Sequence, residues 1–184
     1  MKFSFFWSVI AVLLIGCQHD PLPKPRAELK LEYPMAKYNK VLSACPYTFE
    51  ISREAVITFE NNCEAQIKYP DLKATVFLTY RQIQNGLPTA LQEVERLTYE
   101  HAIKADAIDA RPFENDKKSV YGKLVYVEGN VASNVQFHVT DSIENLLYGA
   151  LYFEVQPNYD SILPAVKYIE NDIRNLMESV TWQE

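Results

Sequence analysis

The chain has 184 residues, 48% of them hydrophobic, and a formal net charge of −6 at pH 7. This length allows one domain with a hydrophobic core. The excess of acidic side chains disfavours nucleic acid and anionic lipid headgroups, so neither is expected to bind the folded domain.

The first 16 residues have the pattern of a bacterial lipoprotein signal peptide. Lys2 precedes an almost wholly apolar run from Phe3 to Ile15, and the small residue Gly16 stands directly before Cys17. The run is too short for a transmembrane helix, which needs about 20 apolar residues. We expect cleavage before Cys17 and attachment of lipid, including palmitate, to its sulfur. The alternative is an ordinary secretory signal with an incidental cysteine.

Lipid on Cys17 would make the bilayer a partner and place the protein in the cell envelope, with a periplasmic orientation favoured over the cell surface. Residues 17–27 are predicted to be the lipidated cysteine and a tether, because three prolines follow one another closely. Proline favours an extended backbone, although a flexible spacer is nearly as compatible with this composition. Residues 28–184 contain no repeat or linker and are predicted to form one domain.

Two further cysteines, Cys45 and Cys63, belong to the exported part of the chain. Thiols tend to oxidise outside the cytoplasm, so we predict a disulfide between them. Two free buried thiols are the alternative. No metal site is expected, because the chain lacks the CxxC or HxxxH spacing that would supply converging ligands.

The first half of the domain is predicted to consist of strands. Residues 29–33 alternate between apolar and polar side chains, as a half-buried strand does. Residues 47–51 and 55–59 are predicted to form a hairpin, which turns at residues 52–54. Two more strands are predicted at residues 66–69 and 73–81.

A helix is predicted to begin after Asn85-Gly86 and to end near Ala107, because apolar residues recur with helical spacing. Two strands, 120–128 and 131–140, would then form a hairpin through the two-residue turn Gly129-Asn130. That turn would place Tyr126 opposite Ser133, Leu124 opposite Val135, Lys123 opposite Gln136 and Tyr121 opposite His138.

A strand at residues 146–155 and a helix with an apolar stripe from Ile162 to Val180 complete the predicted elements. The order of strands, helix, strands and helix predicts an α+β domain in which two long helices pack on an antiparallel sheet. The same order occurs in the Mog1/PsbP-like sandwich, which is an analogy of fold and carries no function.

The sequence contains no convincing catalytic or cofactor-binding pattern, so no active site and no cofactor are predicted. Ser133 and His138 are five residues apart in one predicted strand, and their side chains would point to opposite faces. The acidic pairs Asp106/Asp109 and Asp141/Glu144 are interpreted as a helix end and a loop. Five glycines are scattered through the chain, and no glycine-rich phosphate loop exists.

One face of the predicted sheet combines aromatic and amide side chains with few charges, a composition typical of protein interfaces. We predict that this face docks another protein, although a helix or loop that covers it would explain the pattern equally well. Its predicted members are Tyr121, Lys123, Asn134, Gln136, His138, Tyr148 and Tyr152.

Several stretches together resemble the gliding motility lipoprotein GldD family of Bacteroidetes. They are Pro23-Lys24-Pro25-Arg26, Cys45-Pro46-Tyr47, Phe49-Glu50, residues 101–108, Gly129-Asn130, Ala132-Ser133, Val135-Gln136-Phe137, Thr140-Asp141-Ser142, residues 149–153, Leu176-Met177-Glu178 and Trp182. The chain departs from the family pattern at Ala27, where glycine is expected, and in a shorter segment from Asn61 to Glu64.

The resemblance implies a non-enzymatic component of the gliding machinery, which is linked to type IX secretion and acts by protein–protein interaction. Its expected partners are other gliding or secretion proteins. Two alternatives are an envelope module that binds a small ligand or peptidoglycan, and a cryptic hydrolase that uses Asp106 or His138.

Overall fold

The computed structural model describes residues 32–101, 104–154 and 158–183. The elements are, in chain order, β1 (Tyr38–Lys40), β2 (Tyr47–Thr48), β3 (Glu50–Ser52), β4 (Val56–Phe59), β5 (Ala65–Tyr69), β6 (Ala74–Gln82), α1 (Leu87–His101), β7 (Ala107–Asn115), β8 (Val120–Glu128), β9 (Val135–Thr140), β10 (Asn145–Phe153), α2 (Tyr159–Ser179) and β11 (Thr181–Trp182).

A seven-stranded antiparallel sheet with the order β4-β5-β6-β10-β9-β8-β7 forms the centre of the domain. It consists of two meanders, β4 to β6 and β7 to β10, which meet where β10 pairs with β6 over nine residue pairs. Helix α1 carries the chain from β6, in the middle of the sheet, to β7 at its edge. Two small ladders, β1 with β3 and β2 with β11, lie outside this sheet.

The main core lies between one face of the sheet and α2. Alternate residues of the strands point to this face, and the helix supplies an apolar stripe at helical spacing. Val76, Leu78 and Leu151 of the sheet are buried together with Ile169 and Ile173 of the helix.

Glu170, which is 9% exposed, is one of two buried acidic residues of α2, and the other is Asp172, which is 4% exposed. Its carboxylate accepts hydrogen bonds from the hydroxyls of Tyr38 at 3.0 Å and Tyr69 at 3.1 Å. Burial raises the pKa of Asp172, and the two tyrosine hydrogen bonds oppose that rise. The cluster connects β1 to the helix and to β5.

Helix α1 packs on the opposite face of the sheet. Ala90 and Val94 of the helix form a second, smaller core with Ile83 and Leu146. A third cluster, in which Ala105 packs against Val125 and Val127, covers the same face closer to β7. The two helices therefore enclose the sheet from both sides, and the predicted α+β class with an antiparallel sheet is confirmed.

The predicted hairpin of residues 47–51 with 55–59 is wrong. A turn does occur at the expected place, where the amide of Ala55 donates to the carbonyl of Ser52 at 3.1 Å. The two strands that flank this turn do not pair with each other, however. Instead, β3 pairs with β1 and β4 pairs with β5. Tyr47 and Phe49 are buried in the main core, which draws their segment away from the sheet.

The predicted register of β8 with β9 is wrong by two residues. Tyr126 lies opposite Val135, and Lys123 lies opposite His138. The connection is longer than a two-residue turn, because the Asn134 amide donates to the carbonyls of Val127 at 2.8 Å and of Gly129 at 3.1 Å. A shift of two preserves which face each side chain points to.

The predicted end of the first helix is also wrong, since α1 ends at His101 and Ala107–Asn115 is a strand, β7. Most residues of β7 are exposed, so the strand lacks an alternating hydrophobic pattern. Among the described strands it pairs with β8 alone, and edge strands tolerate a proline such as Pro112.

The signal peptide, Cys17 and the tether at residues 17–27 lie outside the described residues, as does most of the strand predicted at 29–33. Residues 32 and 33, which are described, are not part of a strand. No helix in the described ranges is long and apolar enough to cross a membrane. The analogy with the Mog1/PsbP-like sandwich stays a prediction.

A disulfide joins Cys45 to Cys63, with 5.6 Å between their Cα atoms. Cys45 precedes β2, and Cys63 lies in the short helical turn between β4 and β5. The hydroxyl of the buried Tyr47 donates to the carbonyl of Cys63 at 2.6 Å, so the two segments are also joined by a hydrogen bond.

Replacement of both cysteines, Cys45→Ser with Cys63→Ser, should lower the free energy of unfolding. The cross-link spans 18 residues, and closing a loop of that size stabilises a protein by about 3 kcal/mol. Urea denaturation without reductant measures the loss, and the wild-type protein under reducing conditions should match the double variant. Full alkylation of both cysteines in the unreduced protein would contradict the bond.

Candidate docking face

The predicted interface residues occupy the face of the sheet on which α1 packs. Tyr121 and Lys123 lie on β8, Gln136 and His138 on β9, and Tyr148 and Tyr152 on β10. Asn134 belongs to the connection before β9, where its amide holds the backbone of the turn.

Helix α1 and the connections beside it bury part of this predicted surface. Asn134 is 2% exposed, Gln136 6% and His138 8%. These three side chains are therefore not on an open face, as the alternative of a covering helix or loop implies. For Gln136 and His138 the cause is α1, whereas Asn134 is held within the turn before β9.

Two ion pairs attach α1 to the strands beneath it. Glu95 of the helix contacts Lys123 of β8 at 2.5 Å, and Glu93 contacts Arg81 of β6 at 2.7 Å. All four side chains retain substantial exposure, and exposed ion pairs each stabilise a protein by less than about 1 kcal/mol. We conclude that the buried residues Ala90 and Val94 provide most of the attachment and that the ion pairs orient the helix.

The environment of His138 disfavours its protonated form. Burial lowers the pKa of the imidazole to about 4, and the charge of Lys123 contributes to this shift. Glu95 opposes the shift, but its carboxylate is engaged by the Lys123 ammonium group. His138 is thus neutral near pH 7 and does not act as a cation there.

What remains accessible is an apolar rim, which we define as Phe77, Leu97, Tyr148 and Tyr152. Phe77 is 43% exposed and Leu97 37%, while the two tyrosines are half-buried. The rings of Phe77 and Tyr152 meet edge to face, with 5.6 Å between their centroids. Tyr121 and Lys123 are also half-buried.

Sequence reasoning missed Phe77 and Leu97 as members of this surface. Strand alternation assigns Phe77 to one face of β6, but it does not reveal which strands lie beside β6. Leu97 lies on the same side of α1 as the buried Val94 but remains 37% exposed. The sequence signal that could have identified Leu97 is the width of the apolar stripe on α1, which exceeds what the helix buries against the sheet.

The residues considered for catalysis have structural roles or lie apart. The Ser133 hydroxyl donates to the carbonyl of Val135 at 3.1 Å. The backbone amide of Asp106 donates to the carbonyl of Glu128 at the end of β8. His138 lies opposite Lys123, which is five residues away from Glu128 in the same strand. At about 3.3 Å per residue this separates them by roughly 17 Å. Within the described ranges no group of three or more His, Cys, Asp or Glu side chains could hold a metal ion.

Asp141 illustrates the structural role of the acidic pairs. One oxygen, Oδ1, accepts the backbone amides of Ile143, Glu144 and Asn145 at 2.8 to 2.9 Å, and Oδ2 accepts the side-chain amide of Asn145. Burial opposes ionisation of Asp141, but the hydrogen bonds from Asn145, Ile143 and Glu144 outweigh it and lower the pKa. The carboxylate therefore closes the turn between β9 and β10.

Comparison with known families identifies the chain. The family model of the gliding motility lipoprotein GldD matches residues 18–182. The chain belongs to the GldD family. The match covers all but the last of the described residues and begins directly after Cys17, so the resemblance found in the sequence is confirmed. No curated protein matches the chain significantly.

Membership of the GldD family indicates the general role and location of the protein. It is a gliding motility lipoprotein by family, which associates it with the cell envelope and with membrane anchoring. The family description names no catalytic activity and no partner. The chemistry of this GldD-family domain must therefore be sought in its surfaces and cavities.

Titration of His138 should reveal its environment. Its pKa in the folded protein is about 4, against 6.5 in the unfolded chain, so only the unfolded state gains a proton as the pH falls through this window. The free energy of unfolding should decrease by up to about 3 kcal/mol from pH 6.5 to pH 4 on this account. NMR titration of the imidazole and denaturation at several pH values measure the two quantities.

The variant His138→Gln is the control for that titration. It removes the ionisable group and should lose the corresponding part of the pH dependence. An imidazole that titrates near 6.5 in the folded protein would contradict the described burial.

Proposed function

We propose that the protein is a non-enzymatic, membrane-anchored component of the gliding machinery, linked to type IX secretion, which acts by binding another envelope protein. The observation that carries this proposal is the family match over residues 18–182. In this proposal Cys17 holds the domain at the membrane through its lipid, facing the periplasm, and the domain supplies the binding surface.

The apolar rim is the part of the domain that we assign to partner binding. Aromatic residues on a polar surface are typical of energetically important interface positions. Tyr148 and Tyr152 present aromatic rings beside the exposed Phe77 and Leu97. Phe77 and Leu97, as large and partly exposed apolar side chains, would gain from burial against a partner at roughly 25 cal/mol per Å².

Charge substitutions on the apolar rim should abolish capture of the partner. Tyr148→Glu and Tyr152→Glu place a carboxylate where a partner would exclude water, and an unpaired buried charge is strongly unfavourable. The measurement is crosslinking and pull-down of the native lipoprotein from membranes, followed by identification of gliding or secretion proteins. Circular dichroism checks that each variant is folded.

Tyr99→Glu is the matched control, because Tyr99 lies on α1, is 54% exposed and is not part of the rim. It should leave capture unchanged. Undiminished capture by both rim variants would remove the rim from the proposal, and recovery of no gliding or secretion protein by the wild type would remove the function itself.

Loss of the lipid should abolish gliding without unfolding the domain. The variant Cys17→Ala, exported through a cleavable secretory signal, lacks the thiol that carries the lipid and would be released from the membrane. Cell fractionation, a gliding assay and thermal denaturation measure location, function and folding in turn. Normal gliding by a fully released, folded variant would contradict the need for an anchor.

A further inference from the structure

A half-open cavity of about 170 Å³ lies between α1 and the sheet, inside the apolar rim. Its walls come from β6, β9 and β10, and α1 covers it with Val94, Leu97 and Thr98. Val94 is 5% exposed and Thr98 7%, so these two residues of α1 pack closely against the rest of the domain. The Thr98 hydroxyl already donates to the carbonyl of Val94 at 3.1 Å.

The register of three adjacent strands creates the cavity. Ala150 of β10 lies opposite Phe77 of β6 on one side and opposite Gln136 of β9 on the other. The three side chains point to the same face, and the alanine ends at Cβ between two long neighbours. A hollow therefore remains at Ala150, and α1 bridges it without filling it.

An unsatisfied amide lines this hollow. Gln136 is 6% exposed, and its Nε2 atom has no hydrogen-bond partner among the described residues. A buried polar group without a partner is unfavourable by roughly 1–3 kcal/mol, and most such groups in proteins are paired. Rotation about the last side-chain torsion exchanges the positions of the amide nitrogen and oxygen, so the group can turn its donor towards the cavity.

The size and lining of the cavity define the class of ligand. Pockets for small molecules usually measure roughly 300–1,000 Å³, whereas an apolar cavity of about 150 Å³ holds benzene. Among the described residues the lining contains no charged side chain, and it includes the rings of Phe77, Tyr148 and Tyr152. A single uncharged ring fits this space, and the exposed Phe77 and Leu97 make its mouth apolar.

We propose that this cavity binds one uncharged aromatic ring that carries a hydrogen-bond acceptor, which the Gln136 amide recognises. The ring can come from a free phenol-like compound or from a tyrosine side chain in a polypeptide, because both present the same chemistry. The site rests on the cavity and the amide and does not depend on a role in gliding.

The test uses the full mature lipoprotein in detergent micelles, with methyl NMR signals of Val94, Leu97 and Ala150 as reporters. Titration with p-cresol should shift these signals saturably. Toluene, which lacks the acceptor, should bind about tenfold more weakly. The variant Gln136→Leu should lose the preference for p-cresol over toluene, because only the hydrogen bond distinguishes the two rings.

Ala150→Leu should fill the hollow and abolish binding of p-cresol while the melting temperature stays the same or rises. Ala132→Leu, at an exposed position outside the cavity, is the matched control and should bind normally. If Ala150→Leu lowers the melting temperature, Ala150→Val provides a smaller filling residue that suits a strand.

Two ligands distinguish a free phenol-like compound from a tyrosine side chain as the natural ligand. A capped glycine-rich peptide with one central tyrosine should bind at least as tightly as p-cresol if the site takes a protein side chain, and it should be excluded if the site takes a free ring. Either result supports the cavity as a binding site. Absence of saturable shifts with both ligands, or undiminished binding by folded Ala150→Leu and Ala150→Val, would overturn the proposal.

Discussion

The pairing of β10 with β6 is the contact on which the domain depends, because among the described strands it alone joins the two meanders into one sheet. Gly149 lies in the middle of this ladder. A Cβ atom there would come within 2.8 Å of the side chains of Leu78 and Phe137 and of the carbonyl of Phe77. Contacts that short are repulsive, so the close approach of the strands requires glycine. Both faces of the sheet, and hence both helices, take their positions from this ladder.

The sequence predicted the parts of the fold that carry strong periodicity. β6, β8 and α2 alternate or repeat clearly, because one side of each packs on a core. The exposed edge strand β7 has no such asymmetry and was missed for that reason. Pairing between strands is a tertiary property, and the wrong partner for β3 shows that a good turn does not ensure a hairpin.

The sequence predicted which residues lie on the candidate face, but it did not predict which of them are exposed. A register error of two residues left Gln136 and His138 on the expected face, since side chains alternate with a period of two. Their burial follows from the path of α1, which no local pattern encodes. The hollow at Ala150 arises from the side chains that flank it on the neighbouring strands, so it too required the complete sheet. A conspicuous surface composition thus indicated the region, and the three-dimensional arrangement determined which side chains remain available.

If the domain is anchored through Cys17 as proposed, the position of the disulfide has a mechanical consequence. Among the described residues, tension that enters along the chain meets first the stacking of Tyr33 on Tyr168 and then β1, which is held by a three-residue ladder and by the Tyr38 hydroxyl on Asp172. These contacts can peel apart in sequence under load. At Cys45 the covalent bond transfers the force to Cys63, between β4 and β5, so the intervening segment does not lengthen. The disulfide therefore limits how far a pulled chain extends before the central sheet bears the load.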